Sequence, residues 1–232
     1  MSNADIADWD RIAAAYIEAS GPSNRFYREV AGYAWESLGD LRNKRVLDLG
    51  AGDGWFAHEL AKKGAEVVAI DGSRELVDAG RTKYPEVHFL QHDLTLGLPE
   101  VGRFDAIWCF TVLMDLPVLD VLLGDAYQAL KPEARFLITI LHPCFFNFPS
   151  EFDEVTRTGY RKVDRYLNEE VWRLDTFGGH NHYHRSITYY TEGLRRAGFT
   201  IARLVEPPHI PLSNDCDFYR NIPVLLYIEA KR

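Results

Sequence analysis

The sequence predicts an α/β protein built on a doubly wound, mostly parallel sheet, and three observations carry that reading. Residues 44–73, KRVLDLGAGDGWFAHELAKKGAEVVAIDGS, run as apolar strand, glycine loop, amphipathic helix, second apolar strand and terminal acid. Apolar strands and helix-patterned segments then alternate as far as residue 141, which is the pattern of parallel strands joined by crossover helices. The chain has 232 residues, 47% hydrophobic and 26% charged, enough to bury a full core without disulfides or metals.

The elements follow in order. Ile6, Trp9, Ile12, Ala13, Tyr16 and Ile17 give residues 5–18 helical periodicity, and Gly21-Pro22 breaks it. Ser23 is expected to cap a second helix over roughly 24–38. Val46 to Leu49 is a buried strand; Gly50, Gly52 and Gly54 then permit a sharp turn and let a ligand approach bare backbone. A helix over 55–63 turns Phe56, Leu60 and Ala61 inward and ends at Gly64. Residues 65–70 form the second strand, and Asp71 at its carboxyl end is placed to accept the hydroxyls of a ribose. Ser73 caps the next helix, which Tyr84-Pro85 ends. Strands follow at 87–91 and 104–110. Asp115 is expected to cap a helix that opens at Pro117 and runs to Leu130. Lys131-Pro132-Glu133 reads as a turn before a fifth strand over 134–141. Ser186 caps a helix over 187–197, Gly198 terminates it, and a sixth strand spans 199–206. After a proline-rich loop at 207–219, residues 222–228 form the last strand.

The glycine loop indicates which nucleoside is held. Its spacing is GxGxG rather than the GxGxxG of dinucleotide sites, and Asp48 and Asp53 lie beside it. Two carboxylates disfavour a pyrophosphate and favour a cationic ligand with an amino-acid tail. With this loop, the sequence resembles the class I S-adenosylmethionine-dependent methyltransferases, whose first motif LDLGAGDG matches closely and whose second-strand acid corresponds to Asp71. ALKPEARFLITI resembles the family's LKPGG turn and strand, with Glu133-Ala134 in place of the glycine pair. HYHRSITYYTEGLRRAGFTIARLVEP resembles the end of the bacterial small-molecule enzymes of the ubiquinone- and menaquinone-methylating group.

That resemblance implies a Rossmann-like sheet with an antiparallel last strand, S-adenosyl-L-methionine as cofactor and a small-molecule methyl acceptor. It divides one methyltransferase domain, 1–232, into an N-terminal helical lid (1–40), a cofactor-binding core (41–141), a substrate-cap insertion (142–185) and a C-terminal helix and strands (186–232). The cofactor residues it implies are Asp48, Gly50, Ala51, Gly52, Asp71, Gly72, Ser73, Phe110 and Thr111. Tyr16 and Arg25 would reach down from the lid; the alternative is that the lid helices only cover a sheet edge. Asp93 would bind the adenine amino group with Leu94 on the ring; the alternative is that Asp93 caps a turn. Many relatives have a histidine where this chain has Asp115, so no base carries over from it.

Methyl transfer from a sulfonium needs a nucleophile held in line and, for a hydroxyl or ammonium, a group that takes a proton. His142, at the mouth of the fifth strand, and His184, at the entry to the next helix, are the base candidates. His180, His182 and His184 would share a face if extended, but no acidic fourth ligand accompanies them and no metal is expected. His180 and His182 otherwise read as part of a polar loop beside Gly178-Gly179. The insertion is rich in aromatics, and Phe145, Tyr160, Arg185 and Tyr190 are the substrate-binding candidates. Transfer to oxygen or nitrogen is the expected reaction. The alternative is a protein of the same fold that binds S-adenosylmethionine for another reaction or for regulation, and a nicotinamide-dependent oxidoreductase is more distant.

A net charge of −8 disfavours nucleic acid as partner. The three cysteines form no CxxC pair, the first residues lack a signal-peptide core and no apolar run would cross a membrane, so a cytoplasmic monomer or homodimer is expected.

Overall fold

A computed structural model describes residues 3–147, 150–153, 155, 158–209 and 222–232. Phe148, Cys216 and most of the proline-rich loop lie outside the described residues.

Five parallel strands form the centre of the molecule: β1 (Arg45–Leu49), β2 (Glu66–Asp71), β3 (His88–Gln91), β4 (Phe104–Phe110) and β5 (Leu130–Leu141). Their order, β5-β4-β1-β2-β3, reverses direction beside β1, so the carboxyl ends of β1 and β4 flank a crevice. Two short hairpins, β6–β7 (Ser150–Asp153, Thr158–Arg161) and β8–β9 (Glu170–Leu174, His180–His184), occupy the insertion. The seven-stranded sheet is completed by β10 (Thr200–Val205) and β11 (Leu225–Lys231), and β11 runs antiparallel to both neighbours. That last strand starts later than expected. Pro223 has no amide to donate, and the Val224 carbonyl is taken by the His142 amide, so regular pairing begins at Leu225.

Helices cover both faces: α1 (Asn3–Ala19), α2 (Arg25–Leu38), α3 (Trp55–Lys62), α4 (Arg74–Lys83), α5 (Asp120–Ala129) and α6 (Ile187–Ala197). On one face Phe56 stacks on Trp108 at 4.5 Å beside Val30, Leu60 and Val77; on the other, Leu122, Leu123 and Leu194 pack on Ile107, Phe136 and Ile138. Ser73 and Ser186 cap α4 and α6 with their side chains. α2 is capped by Asn24, not Ser23: the Asn24 side chain accepts from the Tyr27 amide.

Two expectations fail on β5 and α5. Residues 131–133 do not leave the sheet; the strand runs through them with a register shift against β4, and Glu133 takes a left-handed conformation (φ 63°) where the related turn has glycine. Pro117 does not open α5. That helix starts at Asp120, and Leu113–Asp115 instead forms a separate 3₁₀ turn.

Candidate active site

The site begins at the glycine loop. Gly50, Gly52 and Gly54 all have positive φ, and a Cβ on Gly52 would lie 2.7 Å from both Cε1 and the hydroxyl of Tyr16. Glycine is therefore required twice over, by conformation and by the ring above it. Asp71 ties this loop to the next one: Oδ2 accepts from the Gly52 amide at 2.8 Å and Oδ1 from the Ser73 amide at 2.8 Å. Ser73 in turn donates its hydroxyl to Asp10 of α1 at 2.6 Å and accepts the Leu76 amide. The loop, the start of α4 and the lid helix are thus one hydrogen-bonded unit.

Burial dominates the electrostatics here. It pushes the Asp48 carboxyl up to about 8, with Asp71 adding to the rise and the Ala57 amide opposing it. It pushes Asp71 up to about 6 against the pull of its amide donors. Asp53 is buried too, but Lys83 pairs with it at 3.1 Å. Desolvation first, and then the charges of Asp53, Asp71, Asp48 and Asp115, hold the Tyr16 hydroxyl in its protonated form.

Two connected hollows open from this point, sharing Tyr16, Asn24, Gly50 and Phe110 as walls. The smaller, about 450 Å³, is lined by Asp48, Ala51, Asp53, Trp55 and Trp108. The larger, about 1000 Å³ with its mouth included, runs from Gly52 and Asp71 past Thr111 and Asp115 to Leu141, Phe146 and Leu174. Its roof is aromatic: Trp9 and Tyr16 of α1 meet edge to face at 5.7 Å, Phe177 meets Tyr16 at 5.6 Å, and His180 lies 4.7 Å from Trp9. Thr111, at the end of β4, holds a positive φ of 54° as its amide donates to the Thr139 carbonyl.

Of the residues expected at the cofactor, Tyr16, Asp48, Gly50, Ala51, Gly52, Asp71, Phe110 and Thr111 line these hollows. Gly72 and Ser73 stand behind, as partners of Asp71. Arg25 is not a wall residue; its guanidinium lies 5.6 Å from the ring of Phe26, which is one. Asp93 Oδ1 accepts from the amide and hydroxyl of Thr95, the capping geometry, and Leu94 is fully buried in the core rather than set against the hollow.

The histidine assignments need correction. The Nδ1 of His142 accepts from the Cys144 amide, so its proton sits on Nε2 and is donated to Glu206 at 2.9 Å. His142 is buried outside the cavity wall, with no nitrogen left for a substrate. His184 Nε2 donates to the Tyr166 carbonyl at 3.1 Å, and its ring stacks on Trp172 at 4.4 Å. His180 and His182 are not in a loop but in β9, buried on the same face as His184, and His180 is the histidine that reaches the hollow. Among the described residues, no cluster of histidine, cysteine or acid could hold a metal ion.

The substrate candidates also move. Phe145 packs on His142 while Phe146, next to it, lines the cavity. Tyr160 sits on the β6–β7 hairpin, 58% exposed and away from the cavity wall. Tyr190 is in the core beside Arg185. Arg185 is buried and spends its donors on backbone, the Leu113 carbonyl at 3.2 Å and those of Leu116 and Pro117 at 2.8 Å. It clamps the turn that carries Asp115. Asp115 in turn caps nothing: it is 8% exposed, faces the cavity, and its Oδ1 meets no donor among the described residues. Sequence spacing missed it because proline two residues later looks like a helix start.

The fold and this loop have clear counterparts. A family model described as a methyltransferase domain matches residues 24–204, more than three quarters of the chain. The chain belongs to the methyltransferase-domain family. Ubiquinone biosynthesis O-methyltransferase of Xanthomonas oryzae pv. oryzae is 32% identical over 108 residues, which is 44% of this chain and 45% of that protein. The match thus spans less than half the length of the first curated relatives. A Listeria monocytogenes structure, assigned as an S-adenosylmethionine-dependent methyltransferase, superposes with a TM-score of 0.75 at 27% identity, over 90% of this chain and 99% of that one. One from Mesorhizobium loti gives 0.77 at 24% identity, over 88% and 98%, a likeness of fold.

S-adenosylmethionine is the cofactor named for the Listeria monocytogenes structure. The residues fit it. Gly50 and Gly52 line the hollows with positive φ, Asp71 lies on the same wall bonded to the Gly52 amide, and buried Asp48 and Asp71 are raised acids that a cation would relieve. No helix among the described residues is long and apolar enough to cross a membrane.

Proposed function

We propose that this methyltransferase moves the methyl group of S-adenosylmethionine to an oxygen or nitrogen of a small molecule. The observation that carries the reading is continuity: the hollow that starts at Gly52 and Asp71 continues past Thr111 into an aromatic chamber closed by Trp9 and Phe177. One end suits a nucleoside and the other an apolar acceptor.

S-adenosylmethionine, when bound, supplies an electrophilic methyl group whose sulfur keeps the bonding pair. The chain's residues do the remainder. Asp71 accepts ribose hydroxyls, Asp48 and Ala51 face the amino-acid tail, and Tyr16 closes over the glycine loop. Trp9, Phe146 and Phe177 exclude water and orient the acceptor behind the methyl carbon. We take the acceptor to be small because the hollow, about 1000 Å³ with its mouth included, must also hold the cofactor, and nucleic acid to be disfavoured by the net charge of −8. Monomer or homodimer, with action in the cytoplasm, completes the proposal.

Calorimetric titration tests it. S-adenosylmethionine and its demethylated product should both bind with one site per chain, and NADH should not. Binding of NADH with neither adenosyl compound bound would overturn it. Label moving from methyl-tritiated cofactor into a small-molecule fraction would then separate transfer from mere binding.

A further inference from the structure

The chamber carries a charge pattern that methyl transfer by itself does not demand. No lysine or arginine is among the described residues that line it, and its charged members are Asp71 and Asp115. Each Asp71 oxygen already accepts one loop amide, and its remaining capacity is assigned to the ribose. Asp115 lies on the cavity wall, and its Oδ1 is buried without a hydrogen-bond partner among the described residues. Leaving a carboxyl oxygen buried without a donor is costly, so it is a feature that a ligand completes.

The surroundings hold that carboxyl in place without satisfying it. Arg185 donates to carbonyls on both sides of Asp115, at Leu113 and at Leu116 and Pro117. The Asp115 amide donates to the Val112 carbonyl at 2.8 Å. Burial first, and then the negative charges of Asp5 and Asp71, push the Asp115 carboxyl well above the ordinary carboxylate range. Of the other titratable wall residues, Tyr16 is held protonated and neutral, and burial lowers the pKa of His180, which disfavours its positive form.

A buried acid with a raised pKa is ionised most readily beside a cation; an anionic acceptor would raise it further, and a neutral hydroxyl would leave it unrelieved. An ammonium group matches both the carboxyl and the rings of Trp9 and Phe177. We propose that the acceptor is an amine on an apolar body, held as its ammonium by Asp115, which then takes one N–H proton. This narrows the methyltransferase reading and rests on it. The balance is simple. The ammonium gives a proton to the Asp115 carboxylate and becomes a neutral amine; its lone pair forms the N–CH₃ bond as the S–CH₃ bond breaks and sulfur keeps that pair. The methylated ammonium carries the positive charge away, and Asp115 returns its proton to solvent. Arg185 is a positioning residue for this step.

The test uses the full chain saturated with S-adenosylhomocysteine and three probes of one shape: phenethylamine, phenethyl alcohol and 3-phenylpropionate, with tryptamine as a second amine. Calorimetry should show an amine bound at least tenfold more tightly than the alcohol and the carboxylate. Asp115→Asn, checked for folding by its melting temperature and by retained binding of S-adenosylhomocysteine, should abolish that preference, and Asp115→Glu should keep part of it. Binding of the alcohol or carboxylate as tight as that of the amines, no binding of either amine, or an intact preference in Asp115→Asn would overturn the proposal. Failure of S-adenosylhomocysteine itself to bind is a different result, and it would overturn the methyltransferase reading beneath.

Discussion

Asp71 joins the glycine loop, the start of α4 and, through Ser73, the lid helix, so its role and its cost are both visible in local chemistry. Asp71→Asn should lower the affinity for S-adenosylhomocysteine about tenfold or more, since a charge-assisted bond to hydroxyls is worth about 1.5–3 kcal/mol. Titration calorimetry reads this directly. Burial raises Asp48 to about 8 from an ordinary 3.8. A raised folded value means that the unfolded chain loses this proton first, so the cost to stability is absent below about pH 4. It grows as pH rises towards 8 and then levels. Asp48→Asn should therefore gain melting temperature on the wild type progressively from pH 5 to 8, in cofactor-free protein; parallel curves would contradict the burial argument. These two acids were legible in the sequence because they flank glycines at fixed spacing. Asp115 was not, because no local pattern tells a capping acid from one whose side chain a distant arginine's clamp turns into a cavity.

At the scale of elements, the turn 113–115 is held from α6's entry as well as by its own Asp115–Val112 hydrogen bond. Arg185→Met should cost about 3 kcal/mol in urea unfolding, because three carbonyls at a buried site lose their donors at once. A loss below about 1 kcal/mol would mean that the turn holds itself. The lid is fastened in the same way. Asp5 of α1 accepts from Asn181 at 2.8 Å and from the Tyr183 hydroxyl at 3.0 Å, and Arg11 donates to the carbonyls of Gly178 and Gly179. Asp5→Ala should loosen α1 from the β8–β9 hairpin, speeding S-adenosylhomocysteine dissociation severalfold in stopped-flow measurements. Helix α1 itself was plain from its apolar period, and so were β1, β2 and β4. Its partner in the roof was not, since a hairpin of HNHYH beside two glycines has the composition of a loop and becomes a strand only by pairing with residues 170–174.

For the whole molecule, the mostly parallel sheet and its antiparallel last strand follow from the alternation of strands and helices together with the family resemblance, and both are present. The insertion divides into a hairpin at the cavity and one away from it. Sequence could not make that division because aromatics are spread through both. Ligand binding should be felt globally: S-adenosylhomocysteine at a hundred times its Kd should add about 2.7 kcal/mol and raise the melting temperature by about 5–10 °C. The most direct measurement is a crystal structure with S-adenosylhomocysteine bound. It should show ribose hydroxyls within hydrogen-bond distance of Asp71, the amino-acid tail beside Asp48 and Ala51, and sulfur facing the chamber of Phe146 and Asp115. A ligand bound outside these walls, or with sulfur turned away from that chamber, would contradict the account.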